Sequence, residues 1–150
     1  MGSDRFVCEL SSLNSADKTM WLQMRTLLWP DSDVQDAIAW AARPDAVTLI
    51  ARSHDGQGLV GFAEIGIRAY ADGCESSPVA FLEGWYVDAE HRREGVGRHL
   101  LEAAAEWART RGLHELASDS LLADTTAHLA HLAVGFQEVE RSIKYRFELK

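Results

Sequence analysis

The sequence predicts a single α/β domain, residues 1–150, in which a mixed central β-sheet is flanked by about four α-helices. Three observations support this fold class. The length is close to the most common size of one domain. The 47% apolar and 25% charged content is that of an ordinary globular protein. Strand-like and helix-like segments alternate in the order βααβββαβαβ, with no repeat, linker or low-complexity stretch between them.

The first half of the chain combines a strand, two helices and a hairpin. Apolar residues recur at helical spacing after Ser15, and the acidic first turn of the next helix suits the helix dipole. Two segments rich in β-branched and aromatic residues then flank a turn with two glycines, which is typical of an antiparallel hairpin. The predicted elements are a strand at 5–10, a helix from Ser15 to the Trp29-Pro30 pair, a helix at 31–42, and strands at 46–52 and 59–70.

The second half contains the longest apolar strand. Val79–Val87 (VAFLEGWYV) is nearly all apolar, as expected for a strand covered on both faces, so we expect it to be the central strand. It leads into a helix, and the strand after that helix should run parallel to it through a right-handed crossover. The remaining elements are a helix at 95–110, a short strand at 115–118, a helix at 124–134, and one or two alternating strands within 136–149.

The overall charge limits the partners. The chain has 15 Lys plus Arg against 23 Asp plus Glu, a net charge of −8 that repels phosphate backbones and argues against nucleic-acid binding.

Two cysteines are too few for a disulfide framework, and His128 and His131 lack a third ligand at a recognisable spacing, so no metal site is predicted. No apolar run is long enough for a membrane span or signal peptide, so we expect a cytoplasmic protein without a membrane partner.

One short motif suggests phosphate binding. Arg92–Gly97 (RREGVG) lies between the apolar strand and its helix, and two glycines there let backbone N–H groups approach a phosphate at the helix N-terminus. The motif alone is equally compatible with an ordinary strand-to-helix turn. A P-loop lysine and the third glycine of a dinucleotide fingerprint are both absent, which argues against an NTPase or a nicotinamide enzyme.

With its surroundings, this motif resembles the GCN5-related N-acetyltransferases (GNAT). Further segments resemble the aminoglycoside 6'-N-acetyltransferases of the enterobacterial and Acinetobacter type, and the likeness runs from about Trp21 to about Arg146. It implies acetyl-CoA as cosubstrate, aminoglycosides such as kanamycin and tobramycin as substrates, antibiotic resistance and a homodimer. The segments are Leu28-Trp29-Pro30, 73–78 (GCESSP), 81–84 (FLEG), 117–119 (ASD) and 135–140 (GFQEVE).

The resemblance also implies the site residues. Around acetyl-CoA it places Trp85, Tyr86 and Val87 along the pantetheine arm, Arg93, Glu94, Gly95, Val96, Gly97 and Arg98 at the pyrophosphate, and Asp124, where relatives have an asparagine that bonds the cofactor. Around the aminoglycoside it places Trp29, Tyr70, Glu83, Asp119 and Glu140. Where many relatives have a tyrosine that can protonate the CoA thiolate, this chain has His131. Of five tryptophans, only Trp29 and Trp85 are site candidates; the others are expected in the core or a dimer contact.

The residue chemistry agrees with these assignments. Glu83 interrupts an apolar strand, where a charge is costly unless it is paired or faces a functional cavity. Asp119 follows the end of a neighbouring strand, where ligands of open α/β sheets bind. An amine must lose its ammonium proton before it attacks a thioester, so Glu83 is the first candidate for catalytic proton acceptor, with Asp119 positioning the amine or sharing the task. The backbone N–H near Val87 is the expected oxyanion donor, and no covalent enzyme intermediate is required.

Two alternatives remain open from the sequence. The same fold could acetylate another cationic amine, such as a polyamine or a protein amine. Alternatively, the chain could be a noncatalytic acyl-CoA-binding module that regulates a partner. Such a module would need the glycine turn for phosphate, and the acidic residues would then be ordinary surface charges.

Overall fold

The computed structural model describes residues 6–11, 15–56 and 58–150, with only the backbone of 6–11. A five-stranded sheet and four α-helices make up this part of the chain, which confirms the predicted fold class. The elements are β1 (Phe6–Ser11), α1 (Ser15–Leu28), α2 (Val34–Ala41), β2 (Ala46–Ser53), β3 (Leu59–Arg68), β4 (Val79–Val87), a 3-10 turn (Ala89–His91), α3 (Val96–Thr110), β5 (Leu116–Ser118) and α4 (Thr125–Ala133).

The sheet has the strand order β1-β2-β3-β4-β5. The first four strands are antiparallel neighbours, whereas β4 and β5 are parallel and joined through α3, as the hairpin and crossover predictions require. The prediction that β4 is central was wrong, because β3 holds that place and eight successive residues of it are buried. A continuous apolar run indicates that both faces of a strand are covered, but it does not show where that strand lies in the strand order of the sheet.

Two apolar layers cover the sheet. On one face α3 packs through Leu100 and Trp107 against residues of β2 to β4. On the other face α1 packs through Trp21 against Ile50 and Phe62. Trp21 and Trp107 are therefore core residues, as expected from their apolar helix faces.

A β-bulge interrupts the pairing of β3 with β4. Glu64 pairs with Gly84 and the next residue, Ile65, pairs with Leu82, so Glu83 is the extra residue. A bulge breaks the strict alternation of side chains and re-aims the inserted residue. The bulge therefore explains how β4 carries a glutamate within an apolar run.

Side-chain caps decide where two helices begin. Asp33 Oδ1 accepts hydrogen bonds from the backbone N–H groups of Gln35 (2.8 Å) and Asp36 (3.0 Å), so α2 begins at Val34 rather than at 31. Asp124 caps α4 in the same way, accepting from Ala127 N at 3.0 Å. Such caps satisfy backbone donors that the helix itself leaves unpaired.

The C-terminal segment, residues 136–150, does not form the predicted strands within this chain. It forms no helix or strand, it pairs with no strand of the described part of the sheet, and its apolar residues other than the half-buried Phe136 are exposed. Alternating sequence favours a strand only where a neighbouring edge supplies hydrogen bonds and a surface covers the apolar face. The start of the segment is anchored, because Phe136 packs on the core cluster of α3 and Val139 packs so closely on Gly73 that a Cβ there would overlap it.

No helix in the described ranges is both long enough and apolar enough to cross a membrane.

Candidate active site

A strongly acidic cleft of about 560 Å³ opens between the end of α1, helix α2 and strands β3 and β4. Its lining has five carboxylates against a single guanidinium, with two indole rings among the walls. Converging carboxylates hold a polycation more strongly than an exposed surface does. The charged and aromatic lining residues are Arg25, Trp29, Asp31, Asp33, Asp36, Trp40, Glu64 and Glu83.

Trp29 lies over the middle of β4. Its ring occupies the space that a side chain at position 84 would need, since a Cβ built on Gly84 overlaps it. The Arg25 guanidinium stacks on the same ring, 4.6 Å from the ring centroid. Gly84 therefore allows the indole to reach the sheet, and Arg25 holds it there.

Arg68 pairs with Glu83 and is influenced by the charge of Asp119. Arg68 donates to both oxygens of Glu83, from Nε at 2.8 Å and from Nη2 at 2.7 Å, and its guanidinium stacks on Phe81. The hydrogen bonds that Arg68 donates to Glu83 and the negative charge of Asp119 raise the pKa of Arg68. Each Glu83 oxygen keeps a second lone pair for a ligand. Of the two predicted catalytic carboxylates, Glu83 lies in the wall of the cleft and Asp119 does not.

Glu64, a second carboxylate of the cleft, was not among the site residues predicted from the sequence. Its side chain is only 1% exposed, and Oε1 accepts a hydrogen bond from Arg25 Nε at 2.6 Å. Burial raises the pKa of this carboxyl, although the Arg25 pairing opposes the effect. Glu64 interrupts an apolar strand just as Glu83 does, so the signal that singled out Glu83 was present here too.

The α2 side of the cleft was also missed. Asp31, Asp33 and Asp36 were explained by the helix dipole, and Trp40 was assigned to the core or a dimer contact, yet all four line the cleft. Nothing in the sequence shows that the start of α2 faces β4. That arrangement arises from packing.

Three residues that the resemblance placed around the aminoglycoside, Tyr70, Asp119 and Glu140, do not line this cleft. Tyr70 lies in the loop after β3 and is 72% exposed, because β3 ends at Arg68. Glu140 lies in the exposed C-terminal segment.

Beside the cleft, β4 has an open edge. The β4–β5 pairing ends at Leu82 and Ser118, and beyond it no described strand pairs with this edge of β4. Trp85 flanks the opening and donates from Nε1 to Gly97 O at 3.2 Å. The Tyr86 ring points to the opposite face of the sheet, where it stacks on Phe62. Of the residues expected along the pantetheine arm, Tyr86 therefore offers its backbone rather than its ring.

The turn at the start of α3 is shaped for an anion. Arg93 and Gly95 both have left-handed backbone conformations, with φ of 66° and 86°. Unlike α2 and α4, α3 has no side-chain cap, so its first N–H groups, including those of Val96 and Gly97, point outward without an intrahelical acceptor. Such a cluster of N–H groups binds phosphate, and the pyrophosphate of acetyl-CoA suits it.

Three other side chains expected at the cofactor have partners within the protein. Arg98 donates from Nη2 to Ala133 O at 2.8 Å and so ties α3 to the end of α4. Glu94 contacts His91 at 3.2 Å. Asp124 caps α4.

His131 joins α4 to β5 at the same opening. Its Nδ1 donates to Ala127 O at 2.6 Å, which leaves Nε2 of the neutral ring to accept from the Ser118 hydroxyl at 2.8 Å. The ring also packs edge-on against Trp85, at a centroid distance of 5.3 Å. Both ring nitrogens are therefore engaged inside the protein. Among the described residues, no group of three or more metal-ligating side chains could hold a metal ion.

The sequence matches a known family model. Residues 14–136 match the model of the acetyltransferase (GNAT) family. The chain is 46% identical over 138 residues to aminoglycoside N(6')-acetyltransferase type 1 of Stenotrophomonas maltophilia, covering 90% of each chain. It is 49% identical over 135 residues to the protein of the same name from Klebsiella aerogenes, covering 85% of this chain and 88% of that one.

Two solved structures of aminoglycoside 6'-N-acetyltransferases have the fold of this chain. The fold matches aminoglycoside 6'-N-acetyltransferase AAC(6')-Ih of Acinetobacter baumannii with a TM-score of 0.88 at 31% identity, over 97% of this chain and 99% of that one. It matches AAC(6')-Iy, solved in complex with the bisubstrate analog CoA-S-monomethyl-acetylneamine, with a TM-score of 0.85 at 32% identity, over 95% and 99% of the two chains.

Proposed function

The chain belongs to the acetyltransferase (GNAT) family, and from this premise we propose that it transfers the acetyl group of acetyl-CoA to the 6'-amine of aminoglycosides, conferring resistance to them. The observation that carries the proposal is the acidic cleft, whose five carboxylates lie beside the open edge of β4. An aminoglycoside carries several ammonium groups and matches this charge. Acetyl-CoA matches the turn at the start of α3, which follows the C-terminal end of the same strand.

The geometry supports direct transfer. The thioester would lie along the open edge of β4, with the pyrophosphate at the α3 N-terminus. Glu83, next to that edge, accepts the proton that the 6'-ammonium must lose, and Asp119 orients the amine. A backbone N–H of β4 near Val87 stabilises the oxyanion. Neither His131 nitrogen is free to donate to the thiolate directly, and a thiolate can leave without a proton donor.

The position of acetylation tests this assignment. We expect kanamycin and tobramycin to be acetylated once, at the 6'-amine, with stoichiometric release of CoA thiol. Paromomycin, which has a 6'-hydroxyl in place of the amine, should bind, inhibit and yield little product, because a neutral hydroxyl is a much weaker nucleophile. Mass spectrometry and NMR of the products would decide. Acetylation at a 1- or 3-amine, or efficient turnover of paromomycin, would contradict the proposed orientation.

A polyamine provides the discriminating control. Spermidine offers amines and positive charge without the rings that could stack on Trp29 and Trp40. Turnover of spermidine comparable with that of kanamycin would favour a general cationic-amine acetyltransferase. Acetyl-CoA binding without turnover of either amine would favour the noncatalytic module.

We also propose that the protein is a cytoplasmic homodimer in which the C-terminal segments meet. Five exposed apolar side chains of this segment, which pairs with no strand of the described residues, support an interface with a second copy. They alternate with polar residues from 142 onward, the pattern of a strand with one covered face. The five are Val139, Ile143, Tyr145, Phe147 and Leu149.

Analytical ultracentrifugation tests the dimer. The unmodified protein should sediment at twice the chain mass. Phe147→Asp, which places a charge in the apolar row, should shift it toward the monomer. Lys144→Asp alters the polar row of the same segment and should remain dimeric. A monomeric unmodified protein would refute the homodimer.

A further inference from the structure

The cleft contains a cation that should repel its own substrate. Arg25 lines the cleft together with the carboxylates, and an aminoglycoside brings further positive charge to the same space. The side chain of Arg25 is only 13% exposed, so water screens its charge poorly. A cation in this position needs a structural reason and a means of compensation.

The structural reason is the set of contacts that Arg25 makes. Its guanidinium stacks on Trp29 at 4.6 Å and lies 5.7 Å from the centroid of Trp21. Its Nη1 donates to Ser32 Oγ at 2.5 Å. One side chain of α1 thus holds both the indole over Gly84 and the turn that leads into the acidic start of α2.

Glu64 is the compensating charge. Its Oε1 accepts from Arg25 Nε at 2.6 Å, and the bulge of β4 leaves it opposite Gly84. A Cβ at Gly84 would lie 3.3 Å from Glu64 Oε2 and would overlap the outer edge of the Trp29 six-membered ring, so no side chain at position 84 separates the two. The Glu64 side chain is itself only 1% exposed.

The geometry points to Glu64 as a positioning residue that sets specificity for polycations. It neutralises Arg25, so that Arg25 fixes Trp29 without repelling the ammonium groups of the substrate. The two roles are separable. Glu64 governs binding of the cationic substrate, whereas Arg25, through Trp29, governs alignment of the acceptor amine. This inference rests on the proposed function.

Two variants separate the two roles. E64Q leaves Arg25 charged and unpaired, so KM for kanamycin should rise about tenfold or more while kcat changes less than about threefold. R25Q/E64Q removes both charges with little change in volume, and such a neutral pair is often tolerated in a protein interior. Its KM should return to within about threefold of the unmodified enzyme, but its kcat should fall about fivefold or more, because Trp29 loses the cation that orients it.

Two controls show whether the change in KM is specific to the aminoglycoside and to the charge of Glu64. The KM for acetyl-CoA should stay constant in both variants. E64D keeps the charge and should rescue most of the affinity.

Several outcomes would overturn the inference: unchanged KM in E64Q, a KM in R25Q/E64Q as high as in E64Q, or a double variant with unchanged KM and kcat. If E64Q fails to fold, the double variant alone decides through its split between KM and kcat. Turnover of kanamycin by the unmodified enzyme tests the proposed function separately, since the inference concerns only the differences among variants.

Discussion

Replacement of Gly95 by valine is expected to weaken acetyl-CoA binding roughly a hundredfold, the scale of losing preorganised donors to an anion. Gly95 precedes α3 with φ of 86°, a conformation that a β-branched residue adopts only under strain. The nearest atom to a Cβ there is His99 Nδ1 at 3.8 Å, so the protein leaves the space open. A valine side chain would fill the space that the pyrophosphate needs. Calorimetric titration with acetyl-CoA measures the loss.

A second glycine provides the matched control. Gly112 also has a left-handed conformation, with φ of 75°, and a Cβ there would contact nothing within 4 Å. Gly112→Val therefore carries a similar strain, about 1–3 kcal/mol, at the far end of α3. It should lower the thermal midpoint but leave acetyl-CoA affinity intact. Arg93→Ala, which keeps the backbone donors, should also lose much less affinity than Gly95→Val. Equal losses in the two folded variants at 93 and 95 would refute binding through backbone amides.

Replacement of Glu83 by alanine is expected to cut turnover of kanamycin by more than about tenfold, a modest share of what general-base catalysis contributes. The substitution removes the proton acceptor and also leaves the Arg68 guanidinium without its bidentate partner in the acidic cleft. Acetyl-CoA affinity should be nearly unchanged, because Glu83 lies away from the turn that binds phosphate. Steady-state kinetics with both substrates measure the two effects separately.

An exposed ion pair provides the control for Glu83. Glu106 on α3 accepts from Arg109 Nη1 at 3.4 Å, and both side chains are well exposed. Glu106→Ala removes a paired carboxylate of the same chemistry outside the cleft and should leave turnover unchanged. If Glu83→Ala retains full activity, Glu83 serves only to pair Arg68, and Asp119 takes the role of proton acceptor.

The glycine turn at the start of α3, which we propose binds phosphate, could be located from the sequence because it is local. Its function depends on glycines at fixed spacing after a strand and before a helix, and all these features are adjacent in the chain. The helices α1 and α3 and the strand β4 were likewise predicted closely, since apolar periodicity in the helices and a continuous apolar run in the strand both report directly on burial. A cap moved the start of α2, because the Asp33 side chain accepts from backbone N–H groups of the first turn that have no partner within the helix.

The acidic cleft could be predicted only in part. Glu83 was identified because a charge inside an apolar strand has an energetic cost that the sequence reveals. Glu64 lies in a strand of the same type, but its partner Arg25 is 39 residues away, and no local rule pairs them. The carboxylates at the start of α2 were explained by the helix dipole, and only the folded structure places them in the lining of the cleft with Glu83.

By itself the sequence determined the α/β class, the hairpin, the parallel crossover, the anion-binding turn and, through its resemblance, the family. These depend on backbone propensities and apolar periods that act within a few residues. The tertiary structure alone decided that β3 is the central strand, that a bulge re-aims Glu83, and that Arg25 bridges Trp29 and Glu64. It also left the C-terminal segment without a partner among the described strands of the sheet. Three features depend on which surfaces meet in the folded chain: the position of a strand within the sheet, a β-bulge, and an ion pair between distant segments. The local pattern of residues does not determine which surfaces meet.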